Sequence, residues 1–377
     1  MTCYHPLKAY LPFKPNSEGK RNLIFSPQKH RALEYESAEV LYLSQENPQN
    51  EIDNFFEVLK CYDSPYNFPI LYDRNTFDEK GMFIFVPCNH CIGCKLDYSR
   101  MWATRSVHEA YMANYFNDCA FLTLTFNDDM LYHRDNPYSL NKVAFRCFIK
   151  RLRKAVMSDY GKTFRFMSCG EYGSRRGRPH YHMLIYGFNF PDKYVYSTKI
   201  VHGQRIFYYR SPFLEKLWKP ANCDKSFGFS IIGLVNYETS AYVARYVTKK
   251  LHKSNRCYLN KEQEFLLASR NKGLGYYYLE KFYKQIFDNG YITLPTGFKA
   301  PIPRYYYNSL SEIDPQKYYD YTIARQADLR KMLFVDDINK SAVRLKCKEE
   351  LQSQRLDKLF RTYEFDTSEI ARYGYVN

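Results

Sequence analysis

The chain has 377 residues, with 55 Lys and Arg against 40 Asp and Glu and a formal net charge of +15. That length suits one enlarged domain or two, and the surplus charge favours an anionic polymer as partner. No apolar run approaches the length that spans a bilayer, so no membrane is expected as partner. The opening Met1-Thr2-Cys3-Tyr4-His5-Pro6 lacks the layout of a signal peptide, and eleven scattered cysteines do not read as a secreted disulfide framework. The cytosol is the expected compartment. Aromatic residues reach 18 %, with 38 Tyr, and aromatics among basic residues suit base stacking on single strands.

Residues 1–86 hold short apolar pieces broken by Pro, Asn and Asp. Cys88-x2-Cys91-x2-Cys94 then sets three thiols at knuckle-like spacing just before a helix, which suits a structural Zn²⁺. Cys3 is the expected fourth ligand, with His90 or His5 as substitutes. Leu96, Ala103, Val107, Ala110 and Tyr111 predict an amphipathic helix over 95–116, on which His108 reads as a structural histidine. Residues 121–126 alternate as a strand, with Leu122, Leu124 and Phe126 opposite Thr123 and Thr125. Leu140, Ala144, Phe148 and Leu152 mark a second helix carrying Lys150, Arg151, Arg153 and Lys154. A strand over 163–169 leads to Gly170 and Glu171. A turn holding Arg175, Arg176 and Arg178 leads through Pro179 into a strand over 180–188. Residues 229–235 form a further strand, and Thr239 or Ser240 caps a helix over 239–251. The segment 255–310 is aromatic and broken by Gly and Pro, and from 311 the chain is charged and helical. The expected division is an N-terminal region (1–86), a core with the cysteine cluster (87–255) and an accessory region (256–377).

Strand alternation puts His180 and His182 on one face, where two imidazoles can hold a divalent ion. If 163–170 and 180–188 pair as a hairpin, Glu171 lies opposite the start of the histidine strand and supplies a carboxylate. Two imidazoles and a carboxylate suit Mn²⁺ or Mg²⁺ acting on phosphate, and Zn²⁺ would bind too. An isolated His-x-His is more often an accident; the helix that follows changes the balance. Tyr242 and Tyr246 are four apart and share a helical face, with Lys249 three residues further on. A tyrosine hydroxyl, with a pKa of about 10, attacks phosphorus when held in line with a polarised phosphate. Arg175, Arg176, Arg178, Arg245 and Lys250 surround these motifs as candidate DNA contacts.

The ordered set Phe121-x-Thr123-Leu124-Thr125, Glu171…His180-Tyr181-His182 and Tyr242-x3-Tyr246-x2-Lys249 resembles the HUH endonucleases that start rolling-circle replication. More closely, Pro87-Cys88-x2-Cys91-Ile92-Gly93-Cys94, Cys169-Gly170-Glu171-Tyr172-Gly173 and Ala241-Tyr242-Val243-Ala244-Arg245-Tyr246-Val247 resemble the replication initiators of gokushovirus-type microviruses. The resemblance implies an α+β fold: a five-stranded antiparallel sheet with packed helices, the histidines on a central strand and the tyrosines on a facing helix. It implies His180, His182 and Glu171 as metal ligands, Tyr242 and Tyr246 as nucleophiles and Lys249 as their supporting cation. It also implies a nickase and strand-transferase acting through a 5′-phosphotyrosine on single-stranded phage DNA and a supercoiled duplex origin, in the cytoplasm of a bacterial host. No Gly-x4-Gly-Lys-Ser/Thr loop occurs, so a host helicase, along with a host polymerase, is an expected partner. The rival readings are an HUH transposase or relaxase, a metallohydrolase using activated water, and a non-enzymatic zinc-dependent nucleic-acid-binding protein.

Overall fold

The computed structural model describes residues 3–11, 24–25, 82–132, 136–173, 177–201, 204–220, 223–249, 261–294, 297–335 and 342–357. Two compact units divide the chain, one of Met1–Lys95 with Tyr319–Leu359 and the other of Leu96–Tyr318 with Phe360–Asn377. In the first, β1 (Leu7–Leu11), β2 (Ile24–Phe25) and β3 (Met82–Val86) form an antiparallel sheet in the order β2-β1-β3. Leu7 pairs with Val86, so Cys3 and Cys88 leave the sheet at the same end.

Helix α1 (Ile92–Met112) begins in this unit, and its later turns belong to the second. It starts earlier and ends sooner than the apolar spacing predicts. The chain then runs β4 (Cys119–Thr125), α2 (Asp128–Tyr132), α3 (Lys142–Tyr160), β5 (Arg165–Tyr172) and β6 (Pro179–Tyr186). Next come β7 (Tyr194–Val201), β8 (Gln204–Arg210), α4 (Pro212–Leu217), β9 (Ser230–Gly233) and α5 (Tyr237–Lys249). After these lie β10 (Phe265–Ala268), α6 (Tyr276–Asn289), the small pair β11 (Ile292–Thr293) and β12 (Lys299–Ala300), and α7 (Arg304–Ile313). Two long helices, α8 (Pro315–Val335) and α9 (Ala342–Asp357), follow.

The main sheet has seven strands in the order β10-β5-β6-β4-β9-β8-β7, antiparallel throughout. The expectation of five is corrected by the β7–β8 hairpin and by β10 on the opposite edge. The sequence hides the hairpin because Val195, Tyr196 and Ile200 are exposed, which removes the apolar alternation that marks a strand. β10, only four residues long, pairs Phe265 with Gly170 of β5. A Cβ on Gly170 would stand 2.9 Å from the Phe265 ring, so only glycine lets that ring lie flat there.

Both faces of the sheet are covered, which is why all of β4 is buried. On one face α3 packs Phe145, Phe148, Ile149, Leu152 and Val156 against Leu122, Leu124, Tyr181 and Met183. Each such side chain contributes about 1.5–3 kcal/mol when fully buried. The helix is delimited by Asn141, which accepts from the Ala144 N–H, and by Gly161 at φ +62°. On the other face α1 and α5 lay Ala103, Ala110, Tyr242, Val243 and Ala244 over Phe121, Met167, Cys169, Leu184 and Tyr186. This second face carries the histidines. Among the described residues no helix is long and apolar enough to cross a membrane.

Away from that face, His108 of α1 is buried as the sequence suggests. Its Nδ1 lies 2.8 Å from the Tyr306 hydroxyl, and its ring stacks on Tyr278 with centroids 3.8 Å apart. Burial pushes its pKa down to about 3, below the roughly 6.5 of free imidazole. The unfolded chain therefore binds a proton that the folded chain refuses between these values. Stability from this group is complete above about pH 6.5 and is lost as the pH falls towards 3. In chemical denaturation the unfolding free energy should fall by about 1.4 kcal/mol per pH unit across this window on account of His108. His108→Phe should remove that part of the slope; identical slopes in the two proteins would contradict the assignment.

Candidate active site

Strand register assembles the site. Glu171 of β5 lies directly across from His180 of β6, and Thr123 of β4 lies across from His182 on the other side. The expected hairpin is present, with Glu171 inside β5 rather than beyond its end, because pairing continues to Tyr172 and Pro179. Residues 171, 180, 182 and 123 thus share one face of three adjacent strands.

The two imidazoles converge on one carboxylate oxygen. Glu171 Oε1 lies 2.5 Å from His180 Nε2 and 2.9 Å from His182 Nε2. The other ring nitrogens are engaged elsewhere: His180 Nδ1 is 3.0 Å from the Arg178 carbonyl and His182 Nδ1 is 3.1 Å from Thr123 Oγ1. An Nδ1–H given to the Arg178 carbonyl leaves His180 Nε2 with a lone pair directed at Glu171. Nitrogen and carboxylate lone pairs this close need a proton or a cation between them. Burial alone would raise the Glu171 carboxyl, which is 1 % exposed. The His180 charge and hydrogen bonds from both histidines outweigh burial and hold it well below the usual carboxylate range.

Helix α5 brings Tyr242 over this cluster. The Tyr242 hydroxyl donates to Glu171 Oε1 at 3.2 Å and lies 3.4 Å from His182 Nε2. Its ring meets His182 edge-on at 5.1 Å, while Phe121 stacks on the other side of His182 at 5.6 Å. The helix begins at a reciprocal cap: Asn236 Oδ1 accepts from the Thr239 N–H, and Thr239 Oγ1 accepts from the Asn236 N–H. Asn236 therefore takes the capping role expected of Thr239 or Ser240. Ser240 instead joins a buried polar tie, in which Ser106 Oγ lies 2.8 Å from Ser240 Oγ and 2.6 Å from the Tyr186 hydroxyl. That tie links α1, β6 and α5 beneath Tyr242.

Tyr246 and Lys249 lie in the last turns of α5, but their side chains fall outside the described residues, as do Arg175, Arg176 and Lys250. Arg245 is half-buried on α5. Arg178 is engaged within the fold, donating to the Phe126 carbonyl at 2.7 Å and pairing with Asp128, so it pins the end of β4 to the histidine strand. The four expected cysteines, Cys3, Cys88, Cys91 and Cys94, gather in the first unit.

A family model for the ORF2 type of replication-associated protein matches residues 119–253. The chain is 33 % identical over 260 residues to replication-associated protein VP4 of Bdellovibrio phage phiMH2K, covering 67 % of this chain and 76 % of that protein. It is 31 % identical over 257 residues to replication-associated protein ORF2 of Spiroplasma virus 4, covering 65 % and 74 % of the two chains. This chain belongs to the microvirus replication-associated proteins. A third member, replication-associated protein ORF4 of Chlamydia phage 1, is 28 % identical over 286 residues, covering 73 % of this chain and 67 % of its own. No solved structure matches the chain. A part in phage replication comes with membership of the family. The matched stretch runs from β4 through α5, so it contains Glu171, both histidines and both tyrosines; the cysteines precede it.

One feature beside the site gave no sequence motif. A cavity of about 520 Å³ is lined by Trp102, Arg105, Arg270, Lys272, Tyr276 and Tyr305, among others. Leu266 and Ala268 of β10 also line it, and β10 adjoins β5, the strand that carries Glu171. The Arg105 guanidinium stacks on Trp102 at 4.4 Å and on Tyr305 at 4.0 Å, and its Nε donates to the Leu274 carbonyl. These residues come from α1, α6, α7 and a connecting loop, so only the folded chain brings them together.

Proposed function

We propose that the chain is a metal-dependent DNA nickase and strand-transferase of the HUH type that initiates rolling-circle replication of phage DNA, with Tyr242 as the attacking residue. The observation that carries this reading is the Tyr242 hydroxyl within hydrogen-bonding reach of both Glu171 and His182. The donor set fits a divalent ion: one atom each from Glu171, His180 and His182, all within 4.8 Å of one another. Mixed nitrogen and oxygen ligands suit Mn²⁺ or Mg²⁺. When bound, such an ion supplies positive charge for the oxygens of the scissile phosphate.

The chain's own groups account for the rest. Thr123 and the Arg178 carbonyl fix the ring orientations of the histidines through their Nδ1 atoms, which keeps each Nε2 directed inward. Tyr242 Oη attacks phosphorus; the bond to the 3′-oxygen breaks, leaving a 5′-phosphotyrosine and a 3′-hydroxyl. The phenolic proton has an acceptor already at 3.2 Å in Glu171, and the departing oxygen takes its proton from water. The 3′-hydroxyl then primes a host polymerase, with a host helicase opening the duplex. Tyr246, four residues on along α5, makes the second cut after one round, and Lys249 steadies the charge that develops on the phenols. The cationic and aromatic cavity takes an unstacked nucleotide of the single strand.

Two experiments test this. Labelled single-stranded DNA carrying phage origin segments is incubated with Mn²⁺ and the full chain, then run on denaturing gels. A metal-dependent covalent adduct should form, and Tyr242→Phe should abolish it while losing only one hydroxyl from the fold. Cleavage without an adduct would make water the nucleophile, and binding without cleavage would leave a non-enzymatic DNA-binding protein. For the cavity, Arg270→Ala with Lys272→Ala should lower the slope of log affinity against log salt by about 1.4 on single-stranded DNA, given about 0.7 per phosphate contact. An unchanged slope would route the strand elsewhere.

A further inference from the structure

The cysteine cluster has no part in the proposed chemistry, yet it is the most completely formed ligand set in the first unit. The four thiols come from three places: Cys3 before β1, Cys88 after β3, and Cys91 and Cys94 at the start of α1. The pairing of β1 with β3 brings the first two together, and the chain turn into α1 supplies the others. All four are buried, with exposures of 4, 7, 7 and 8 %. Each sulfur lies within 4.8 Å of the others, and the Cys88–Cys94 and Cys3–Cys91 separations are both 3.9 Å. None is joined in a disulfide.

We propose that Cys3, Cys88, Cys91 and Cys94 hold a single structural Zn²⁺ as four thiolates. A tetrahedral zinc with bonds of about 2.3 Å sets its sulfurs about 3.8 Å apart, which the observed spacing matches. Five backbone N–H groups point at the sulfurs: Tyr4 and Cys94 donate to Cys91, His90 and Cys91 donate to Cys88, and Cys88 donates to Cys3, at 3.2–3.5 Å. A neutral thiol is a weak acceptor, so backbone amides directed at sulfur in this number fit thiolates. Four thiolates so close repel one another unless a cation sits among them. Zinc leaves a net charge of −2, and the buried Lys95 ammonium lies within electrostatic reach of Cys91 and Cys88. The spacing leaves room for one ion and none for a cluster of irons and sulfides.

The two other candidate ligands are placed differently. His5 pairs with Glu349 of α9 at 2.6 Å, and His90 is exposed, contributing only its backbone N–H. The site therefore closes on sulfur alone, with no open position for substrate, as structural zinc sites do. Its role is to fasten the start of the chain to residues 88–94.

The test is elemental analysis of the full chain, purified without added chelator, together with cobalt substitution. About one zinc per chain is expected, released in full by a mercurial reagent that caps thiols. Exchange for Co²⁺ should give the intense visible bands of tetrahedral cobalt with four thiolates. Cys94→Ser should lower the zinc content at least tenfold, while Cys147→Ser, at an exposed position, should leave it unchanged. Should the Cys94 variant fail to fold, the mercurial release and cobalt spectrum of the unaltered chain decide the matter. Iron in place of zinc, a disulfide within the cluster, or four freely titrating thiols with no metal would each overturn the proposal.

Discussion

The antiparallel register of β6 between β4 and β5 is the constraint on which the site depends. It sets Glu171 across from His180 and Thr123 across from His182, and the two-residue period of the strand puts all four side chains on one face. A slip of one residue would turn both histidines to the opposite face and bring Tyr181 and Met183 into their place. The fold resists that slip on both sides. Tyr181 stacks on Phe145 at 4.4 Å, and its hydroxyl accepts from the Asn141 N–H at 2.9 Å. Leu184 and Tyr186 are buried under α1 and α5. The apolar core thus fixes the polar site.

Covering both faces has a chemical consequence. Glu171 is removed from water, so its charge is tolerable only because two imidazoles meet it. Any cation that enters exchanges with protons already held in that triangle, which couples ion affinity to pH. The helix bearing Tyr242 is no loose lid. Its cap at Asn236, its apolar underside and the Ser106–Ser240 tie hold the hydroxyl where the reacting phosphate would lie. Preorganisation of this kind suits a weak nucleophile, which gains more from position than from intrinsic reactivity.

Much of this arrangement was readable from the chain because each motif carries its own periodicity. His180 and His182 alternate, Tyr242 and Tyr246 are one helical turn apart, and the loop between Glu171 and His180 is short enough to demand a hairpin. Choosing Cys3 as the fourth thiol worked for a similar reason: it is one of two groups of cysteines flanking the same apolar run, and β1 pairs with β3. What escaped notice lacked such contrast. The β7–β8 hairpin mixes exposed Val195 and Ile200 with Lys199 and Ser197, and β10 is shorter than a pattern can be. The start of α5 lies in a run of capping residues, Asn236 to Ser240, where only geometry selects Asn236. The Trp102–Arg105–Tyr305 wall joins residues two hundred positions apart, which no local signal reports.

The central claim is that Tyr242 itself becomes bonded to DNA, and peptide mapping of the adduct reads this directly. Trypsin cuts after Lys225, Arg245 and Lys249, so Tyr242 and Tyr246 fall in separate peptides, 226–245 and 246–249. After one cut on a short single-stranded origin oligonucleotide, nuclease trimming and mass spectrometry should find the nucleotide mass on peptide 226–245. Finding it on 246–249 alone, or on neither peptide after efficient cleavage, would contradict the account.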